Sequence, residues 1–405
     1  MKQFSFTSSS AGIAQGARLG TIVTPHGSIR TPAFVPVGTQ ASVKSLTPDE
    51  LSTLGVQLFF VNTYHTYLRP GLSVIGSFGG LHAFMGWNGP IITDSGGFQV
   101  FSLARPKYKP TDRDEESAAL VKITEDGVWF RSHWDGSEHY FSPESSMEYQ
   151  WTLGSDIHIA FDECTPYPAT HAYAKKAMDR THRWAERSLA AHTKLWQSRN
   201  KAHKPYQALY GVVQGSVYED LRVSSAQKIA GMDVDGIAIG GVSVGESKEE
   251  MKRVLQWVTP HLPEDKPRHL LGVGEIDDIF VLVEHGMDTF DCVQPTRLAR
   301  MGKLYVPPHS SQAGTRDAYM IDITKHEYAA DMSPVQESCR CFTCAHFSRA
   351  YIHHLFRVRE LLSYRLASIH NIYFVTELVA SIRTALEQGT FLEMKEQWLY
   401  NNHTY

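Results

Sequence analysis

The segment ALYGVVQ at residues 208–214 decides the fold of this chain. It is apolar without interruption and then ends in a glutamine side chain. A strand with one solvated face alternates between apolar and polar residues, whereas a parallel strand that is buried on both faces is apolar throughout. The segment therefore predicts one strand of a parallel sheet with both faces covered.

Seven further runs of this kind lie on either side of it, at residues 33–37, 58–62, 91–94, 156–162, 236–240, 269–273 and 289–293. Helical patterns lie between many of the runs, for example at residues 48–54, 219–230, 248–258 and 277–285. Strands that alternate with helices form βαβ units. Eight such units predict an α/β protein with a (β/α)₈ TIM barrel, and a doubly wound open sheet is the alternative.

Two stretches do not follow this repeat. Residues 102–150 contain a polar segment and a predicted antiparallel pair of strands, 128–133 and 139–141, joined at the Asp-Gly-Ser turn 135–137. The chain after residue 304 is rich in Pro, Ser and Cys and then predicts helices at about 347–367 and 374–391. We expect a barrel domain over residues 1–304, with an inserted β-hairpin region at about 102–150, and a C-terminal metal-binding subdomain with helices over residues 305–405.

The composition is that of an ordinary globular protein, with 42% hydrophobic and 20% charged residues. The net charge of −4 argues against a general nucleic-acid binder, because such proteins are usually basic. Any RNA contact would need a local basic patch. The sequence contains neither a signal-peptide pattern nor an apolar stretch of about 20 residues that could span a membrane, so we expect a cytoplasmic protein without a membrane partner.

The sequence has five cysteines, and three of them crowd together as Cys339, Cys341 and Cys344. An odd number with this clustering favours a metal site in a reducing compartment over disulfides. Three thiolates and one imidazole make a closed tetrahedral site for a structural Zn²⁺, one per chain, with no position left for a reacting water. His370 is a candidate for the fourth ligand, and spacing alone leaves His346, His353 and His354 open.

Carboxylates follow three of the predicted strands. Asp94, Asp162 and Asp291 stand at the ends of the third, fourth and eighth runs. In a TIM barrel the reactive groups lie at the C-terminal ends of the strands, so we expect the three to converge. Glycines at 96–97 and 240–241 would let a flat ligand approach the backbone.

Converging carboxylates suit chemistry at an anomeric carbon, where one acts as nucleophile and another manages a proton. The sequence contains no phosphate-binding loop, no nucleophile elbow and no dinucleotide fingerprint. The segment PTRLAR at 295–300 places Arg297 and Arg300 beside Asp291, where they could hold phosphates or base edges or could pair with a nearby carboxylate. We therefore expect glycosyl transfer.

Several motifs together resemble the tRNA-guanine transglycosylases of the bacterial type. They are DSGGFQ at 94–99, FDEC at 161–164, QGSVYE at 214–219, FDCV at 290–293 and PTR at 295–297, and the likeness extends from Gly20-Thr21 to the segment SIHN at 368–371. In that family a barrel carries a zinc-binding subdomain. The resemblance implies exchange of guanine at the wobble position of tRNAs with G-U-N anticodons for the queuosine precursor preQ1, with queuine as the alternative base and with no organic cofactor.

The resemblance also implies residue roles. Asp291 matches the nucleophile, Asp94 the general acid/base, Asp162 the reader of the base edge, and Phe98 a stacking ring, while His370 completes the zinc site. The other implied contacts to the base are Ser95, Gly96, Gly97, Cys164, Gln214, Gly240, Gly241, Val242 and Leu271. The implied contacts to RNA are Gly272, Val273, Gly274, Glu275, Ile276, Asp277, Asp278, Thr296, Arg297, Leu298, Ala299 and Arg300.

Some positions depart from the pattern of the family. Phe98 stands where some relatives have Tyr, and Val242-Ser243 stands where Leu and then Ala or Ser are more usual, so the space for the incoming base differs. Phe347 replaces the Trp of a dimer contact in which Tyr351 and His354 match, and a homodimer is still expected. The segment 104–118 is longer than usual.

Three rival functions differ in sequence features. A noncatalytic tRNA-binding subunit of the same fold would lack the nucleophile, yet both Asp291 and Asp94 are present. A glycoside hydrolase would have no use for the zinc module. The archaeal branch of the family carries a further C-terminal RNA-binding domain, which we do not expect here.

Overall fold

The computed structural model describes residues 3–9, 16–103, 121–201, 204–308 and 316–399. The unusually long segment 104–118 lies outside these residues. A three-stranded antiparallel sheet begins the chain, with strands β1 (Ser5–Ser9), β2 (Leu19–Thr24) and β3 (Gly27–Thr31). Ile22 and Ile29 of this sheet are fully buried and pack in one cluster with side chains of the barrel interior. This sheet was not predicted from the sequence.

Eight parallel strands then close a barrel, which confirms the predicted fold and excludes the open sheet. An inserted three-stranded sheet follows the third barrel strand. In chain order the strands are β4 (Ala33–Gly38), β5 (Phe59–Val61), β6 (Ile91–Thr93), the inserted β7 (Val121–Ile123), β8 (Val128–Arg131) and β9 (Glu138–Phe141), and then β10 (Ile157–Ile159), β11 (Ala208–Val213), β12 (Gly236–Ile239), β13 (Arg268–Leu270) and β14 (Thr289–Cys292). Strand β14 pairs with β4 and closes the barrel, with Thr289 opposite Ala33. Each of the eight predicted runs contains or overlaps a barrel strand.

Helices connect the strands. They are α1 (Pro48–Thr53), α2 (Thr63–Leu68), α3 (Leu72–Ser77), α4 (Leu81–Met85), α5 (Gly97–Leu103), α6 (Pro143–Leu153), α7 (His171–Lys201), α8 (Glu219–Ala230), α9 (Lys248–Val258), α10 (Ile276–Glu284) and α11 (Gln294–Arg300). Local sequence explains several of their N-termini: Thr47, Ser142 and Ser247 each accept a hydrogen bond from the backbone three residues later in a capping box. The helices predicted at 219–230 and 248–258 have the observed bounds.

The inserted sheet packs one face against the barrel. Val128, Phe130 and Phe141 are buried in a cluster with Tyr64 and Phe161, which both follow barrel strands. The predicted pair is present as β8 and β9, with Arg131 opposite Glu138. The third strand of the insertion, β7, was not predicted. The insertion is therefore attached to the end of the barrel where the predicted site lies.

The chain after the barrel forms a two-stranded sheet and four α-helices within residues 303–308 and 316–399, which the structure describes. They are β15 (Lys303–Tyr305), β16 (Met320–Asp322), α12 (Phe342–His346), α13 (Arg349–Arg357), α14 (Leu361–Gln388) and α15 (Phe391–Leu399). Three short 3₁₀ segments are Thr259–His261, Arg316–Tyr319 and His326–Tyr328. The predicted helices 347–367 and 374–391 were wrong in their boundary. Helix α13 ends just before Arg359, whose φ of 59° is left-handed. Helix α14 begins after it and runs without a break through residues 368–373.

Helix α14 also belongs to the wall of the barrel. Thr376 Oγ1 donates to the carbonyl of Leu54 at 2.7 Å, and Arg383 Nη1 donates to the carbonyl of Pro32 at 2.7 Å. The helix thereby covers β4 from the C-terminal part of the chain. The division of the chain into domains at residue 304 stays a prediction. No helix in the described part of the chain is long and apolar enough to cross a membrane.

Candidate active site

A cavity of about 440 Å³ opens at the C-terminal ends of the barrel strands. Asp94, Asp162 and Asp291 all line it, so the structure brings together the three carboxylates that the sequence places at separate strand ends. The other predicted residues on its wall are Ser95, Phe98, Cys164, Gln214, Gly240, Gly241, Leu271, Gly272 and Arg297. Val242 does not line this cavity and lies on a neighbouring one, whereas Ser243 lines both.

The carboxylate of Asp94 is held by the end of the second barrel strand. Asn62 Nδ2 donates to Oδ2 at 2.6 Å, and the backbone N–H of Thr63 donates to Oδ1 at 2.8 Å. Burial raises the pKa of Asp94 to about 6, although these hydrogen bonds act in the opposite direction. A group that titrates close to neutral pH can both give and take a proton during one reaction cycle.

Asp162 faces the cavity from the fourth barrel strand. Gln214 Nε2 donates to its Oδ2 at 2.8 Å, and Ser95 Oγ donates to its Oδ1 at 3.3 Å. Burial raises the pKa of Asp162 to about 6 as well. A carboxylate in this setting can accept two parallel N–H bonds from the edge of a planar base.

Asp291 lies at the end of the last strand with its carboxylate fixed through one oxygen. The backbone N–H of Gly272 donates to Oδ1 at 2.9 Å, and His269 Nε2 lies 3.2 Å from the same atom. In the part of the chain that the structure describes, no hydrogen bond is made to Oδ2. An oriented carboxylate with one oxygen left for a reacting carbon is what a nucleophile requires.

Two glycines bring backbone close to the side chains of the cavity wall. A Cβ on Gly97 would lie 2.8 Å from the carbonyl oxygen of Asp162, and one on Gly241 would lie 2.4 Å from Gln214 Oε1. Gly241 also has a φ of +63°, in the region that L side chains rarely adopt. Neither position therefore accepts a larger residue without moving the wall of the cavity. Gly96, with a φ of +83°, makes the turn between Asp94 and α5.

Phe98 stands at the rim of the cavity and is 42% exposed. A ring that is half in solvent beside three buried carboxylates is available for stacking on a planar ligand. Cys164 is half-buried at the end of the neighbouring strand β10 and lines the same cavity.

A second, adjoining cavity of about 560 Å³ contains many of the residues predicted to contact RNA. Its wall includes Gly272, Val273, Gly274, Glu275, Asp278, Arg297 and Leu298. Asp277 pairs with Lys248, and Arg300 donates to the carbonyl of Thr296. The side chains of Ile276, Thr296 and Ala299 are buried, and none of the three residues lines either cavity.

One lysine pairs with three carboxylates at the edge of this second cavity. Lys248 Nζ lies 3.2 Å from Glu275, 2.6 Å from Asp277 and 3.0 Å from Asp278. Burial raises the pKa of Asp278 to about 6, while the neighbouring Lys248 opposes that shift. Three carboxylates around a single ammonium do not attract phosphate, so cationic contacts to a polyanion at this edge fall to Arg297 and its neighbours.

Four residues that support the site were missed by sequence reasoning: Asn62, Thr63, His269 and Arg222. Arg222 is fully buried and donates to the carbonyls of Gly240 and Gly241 at 2.8 and 2.6 Å. It stands on the apolar stripe of α8 with Ala226 and Ile229, and a charged residue in such a stripe is a signal that sequence reasoning could have used. Asn62 ended a predicted strand, yet nothing in the sequence said that it would reach Asp94.

The C-terminal cluster can hold a metal ion. Cys339, Cys341, Cys344 and His370 offer ligand atoms that converge on one point, and His370 Nδ1 lies 3.8, 3.6 and 3.3 Å from the three sulfurs in that order. A tetrahedral ion with ordinary Zn–S and Zn–N bond lengths has an S···N edge of about 3.6 Å. His370 Nε2 donates to the carbonyl of Tyr305 at 2.7 Å, which leaves Nδ1 as the ligand atom.

Known proteins of one family are similar to this chain over nearly its whole length. The family model described as queuine tRNA-ribosyltransferase matches residues 14–404. A queuine tRNA-ribosyltransferase of Thermoanaerobacter pseudethanolicus is 50% identical over 382 residues, which cover 94% of this chain and 93% of the relative. Another, of Pelotomaculum thermopropionicum, is 48% identical over 395 residues, which cover 98% of each chain.

Proposed function

Because this chain belongs to the queuine tRNA-ribosyltransferase family, we propose that it replaces guanine at the wobble position of tRNAs with G-U-N anticodons by preQ1, through a covalent bond between Asp291 and the ribose. The chain is a tRNA-guanine pentosyltransferase with the fold of a TIM barrel. The observation that carries the proposal is the meeting of Asp94, Asp162 and Asp291 in one cavity. The rival noncatalytic subunit has no use for that arrangement.

The reaction divides into two displacements at the same ribose carbon. In the first, Asp291 attacks C1′, the C1′–N9 bond breaks with its electron pair on guanine, and a proton from Asp94 neutralises the leaving base. In the second, Asp94 takes a proton from N9 of the incoming deazaguanine, whose nitrogen attacks C1′ and releases the Asp291 carboxylate. The target nucleotide must leave the base stack for either step to occur.

Residues on the side of the cavity opposite Asp291 recognise the base. Asp162 accepts hydrogen bonds from the ring and amino N–H groups, which both guanine and its deaza analogue carry. Gln214 and the backbone of Gly241 face the carbonyl side, and they lie so close together that no side chain fits at position 241. Phe98 stacks on the ring plane. One pocket thus binds the leaving and the incoming base in turn.

The choice of preQ1 over queuine depends on the strand end at residues 242–243. Cys164 matches the bacterial form of the site, and this favours preQ1. Val242 lines the adjoining cavity and is smaller than the leucine more usual there, which leaves room for a bulkier base that extends past Ser243 into that cavity. The test is base exchange into tRNA with labelled guanine, preQ1 and queuine side by side. Exchange of queuine but not of preQ1 would overturn the preference, and exchange of no base would overturn the function.

We assign Zn²⁺ to the Cys339, Cys341, Cys344 and His370 cluster as a structural ion. Its sulfur and nitrogen atoms suit the soft and borderline preferences of zinc. When bound, the ion joins α12 to α14 and leaves the catalytic cavity to the carboxylates. The clustered thiols fit a reducing compartment, so we place the enzyme in the cytoplasm.

We also propose a homodimer through the surface of α13. The rings of Phe347 and Tyr351 stack with centroids 5.3 Å apart, Tyr351 is exposed, and His354 lies exposed on the same helix. Burying such a ring pair against a second copy of the chain removes aromatic surface from water and stabilises the dimer. The oligomeric state of the wild type and of Tyr351→Ala, measured by light scattering, tests it, and a monomeric wild type would contradict it.

A further inference from the structure

The turn of the inserted sheet carries an exposed tryptophan. Trp134 is 46% exposed, and the guanidinium of Arg69 lies over its ring with Cζ 4.1 Å from the centroid. His133 packs against the same indole, with ring centroids 5.1 Å apart. We call Trp134, Arg69 and His133 the aromatic shelf. Because the guanidinium covers one face of the indole, the exposed area belongs to the other face and the edge.

Ring contacts lead from the aromatic shelf to the catalytic cavity. Tyr64 Oη lies 3.0 Å from His133 Nδ1, and the rings of His65 and His133 meet edge to face with centroids 6.0 Å apart. His65 itself lines the cavity beside Asp94. Tyr64 and His65 stand in α2, directly after the strand that carries Asn62. The shelf is thus a continuation of the cavity wall on the side of the second barrel strand.

The aromatic shelf carries a cationic group at the surface. Among the ion pairs of the described residues, none involves Arg69, whose guanidinium covers one face of the indole. Asp135 is next to Trp134 and stays charged, because hydrogen bonds from the side chain of Ser137 at 2.7 Å and from its backbone N–H at 3.2 Å lower the pKa of its carboxyl to about 2. Lys44 is close enough to His65 to contribute, after burial and His133, to lowering the pKa of that imidazole to about 4. This wall therefore carries ammonium and guanidinium groups, and its imidazole nearest the cavity is neutral.

Resting on the proposed function, we propose that the aromatic shelf stacks a nucleobase of the tRNA anticodon loop that neighbours the target nucleotide. When the target base is extruded, its neighbours lose a stacking partner. An exposed indole backed by a guanidinium replaces that partner for any base, because every base has a π-face, and Arg adds cation–π attraction. The exposed guanidinium of Arg69 can also pair with a backbone phosphate of the same nucleotide.

Trp129 provides a matched control on the same insertion. It is 43% exposed, close to the exposure of Trp134, but its ring pairs with Tyr140 at 4.7 Å on the face of the inserted sheet that is turned away from the barrel. It is not part of the ring contacts that lead to His65. Removal of either indole deletes a similar exposed area, so a difference between the two variants reports position and not bulk.

The experiment measures the Kd of an anticodon stem-loop RNA and the steady-state constants for tRNA and base in wild type, Trp134→Ala, Trp134→Phe and Trp129→Ala. Loss of one base stack predicts that Trp134→Ala binds the RNA about 5- to 150-fold more weakly. The KM for the incoming base should stay unchanged, Trp134→Phe should recover most of the affinity, and Trp129→Ala should match wild type. Thermal melting of each variant shows whether the fold is retained.

Three results would overturn the inference: an unchanged Kd in folded Trp134→Ala, an equal loss in Trp129→Ala, or a parallel rise in the KM of the base. A wild type that binds the RNA but exchanges no base would contradict the proposed function. In that case the Kd values would still decide whether the aromatic shelf contacts RNA.

Discussion

His269 Nε2 lies 3.2 Å from Oδ1 of Asp291, and the imidazole is fully buried in the barrel. Its Nδ1 lies 2.8 Å from Thr289 Oγ1, and its ring stacks on Phe60 with centroids 6.0 Å apart. A buried ring fixed at both nitrogens cannot turn without breaking these contacts. The orientation of the carboxylate at the end of β14 is therefore set from inside the barrel and not by the loop that follows it.

Substitution of Asp291 tests the nucleophile. Asp291→Ala and Asp291→Asn should lower exchange of labelled guanine into tRNA by at least about 10³-fold, because no oxygen anion remains to attack C1′. Binding of tRNA should survive in both. The measurement is incorporation of label together with a search for a protein–RNA adduct that survives denaturation. Full activity in either variant would remove Asp291 from the mechanism.

His269 is a positioning residue, and its substitution should act on turnover. His269→Phe keeps the ring but loses both polar contacts, so kcat should fall about 10²-fold through misplacement of Asp291, while the KM for tRNA stays close to wild type. His269→Gln returns a donor toward Asp291 and should recover part of the rate. If the phenylalanine variant raised only the KM for tRNA, the positioning role would be wrong.

The raised pKa of Asp162 makes a prediction about stability and pH. Burial raises this pKa from 3.8 to about 6, so the native state holds the proton more tightly than the unfolded chain does. Protonation therefore stabilises the fold below about pH 4, and that contribution is lost as the pH rises through 6. At pH 8 the charged carboxylate costs up to about 3 kcal/mol.

Asp162→Asn should accordingly be more stable than wild type at pH 8, with the difference disappearing below about pH 4. The same variant should lose base exchange by about 10²-fold or more, since an amide cannot accept both N–H groups of the base. Denaturant unfolding at the two pH values provides the measurement. Equal stability of the two proteins at pH 8 would contradict the burial argument.

Removal of the metal should unfold the C-terminal region. A chelator strong enough to strip zinc removes a binding free energy that is on the order of 10 kcal/mol in small zinc-binding domains. We expect α12 and the first turns of α14 to melt before the barrel does. Cys344→Ser should reproduce this effect and lower the metal content, whereas Cys164→Ser, outside the cluster, should keep both the metal and the melting profile. An unchanged melting curve after stripping would exclude a structural role.

The side chain at position 242 should influence which base is accepted. Val242 is buried and lines the cavity that adjoins the catalytic one, and its neighbour Ser243 lines both cavities. Val242→Leu adds one methylene, which in a tight pocket changes discrimination by about 10-fold or more. We expect the ratio of kcat/KM for preQ1 to that for queuine to rise by this factor. A ratio that does not move would show that residues other than Val242 set the preference.

Sequence reasoning was most reliable where the pattern was local or long. The eight apolar runs each gave a barrel strand because burial on both faces leaves a mark on every residue of the strand. The inserted pair β8 and β9 followed from its turn, although β7 was missed. The boundary between α13 and α14 was wrong because both sides of the break are good helix formers, and one left-handed residue, Arg359, ends the first helix.

The candidate catalytic residues at the strand ends could also be predicted from the sequence. Asp94, Asp162 and Asp291 could be placed on one face of the barrel from topology alone, and the cysteine cluster from spacing alone. The sequence did not decide which histidine is the fourth ligand of the cluster, because His346 is nearer to the cysteines along the chain than His370. Only the packing of α14 brings His370 Nδ1 within 3.3–3.8 Å of the three sulfurs.

The sequence by itself determined the eight buried strands, the three carboxylates at their ends and the composition of the metal cluster, whereas the structure decided that the strands close into a barrel. Each of these is encoded in residue type and periodicity along a short segment. The tertiary structure alone decided that Asn62 and Thr63 hold Asp94, that His269 holds Asp291, and that Arg222 fixes the backbone at Gly241. Those contacts join residues that are far apart in the chain, and their distances depend on how the barrel closes.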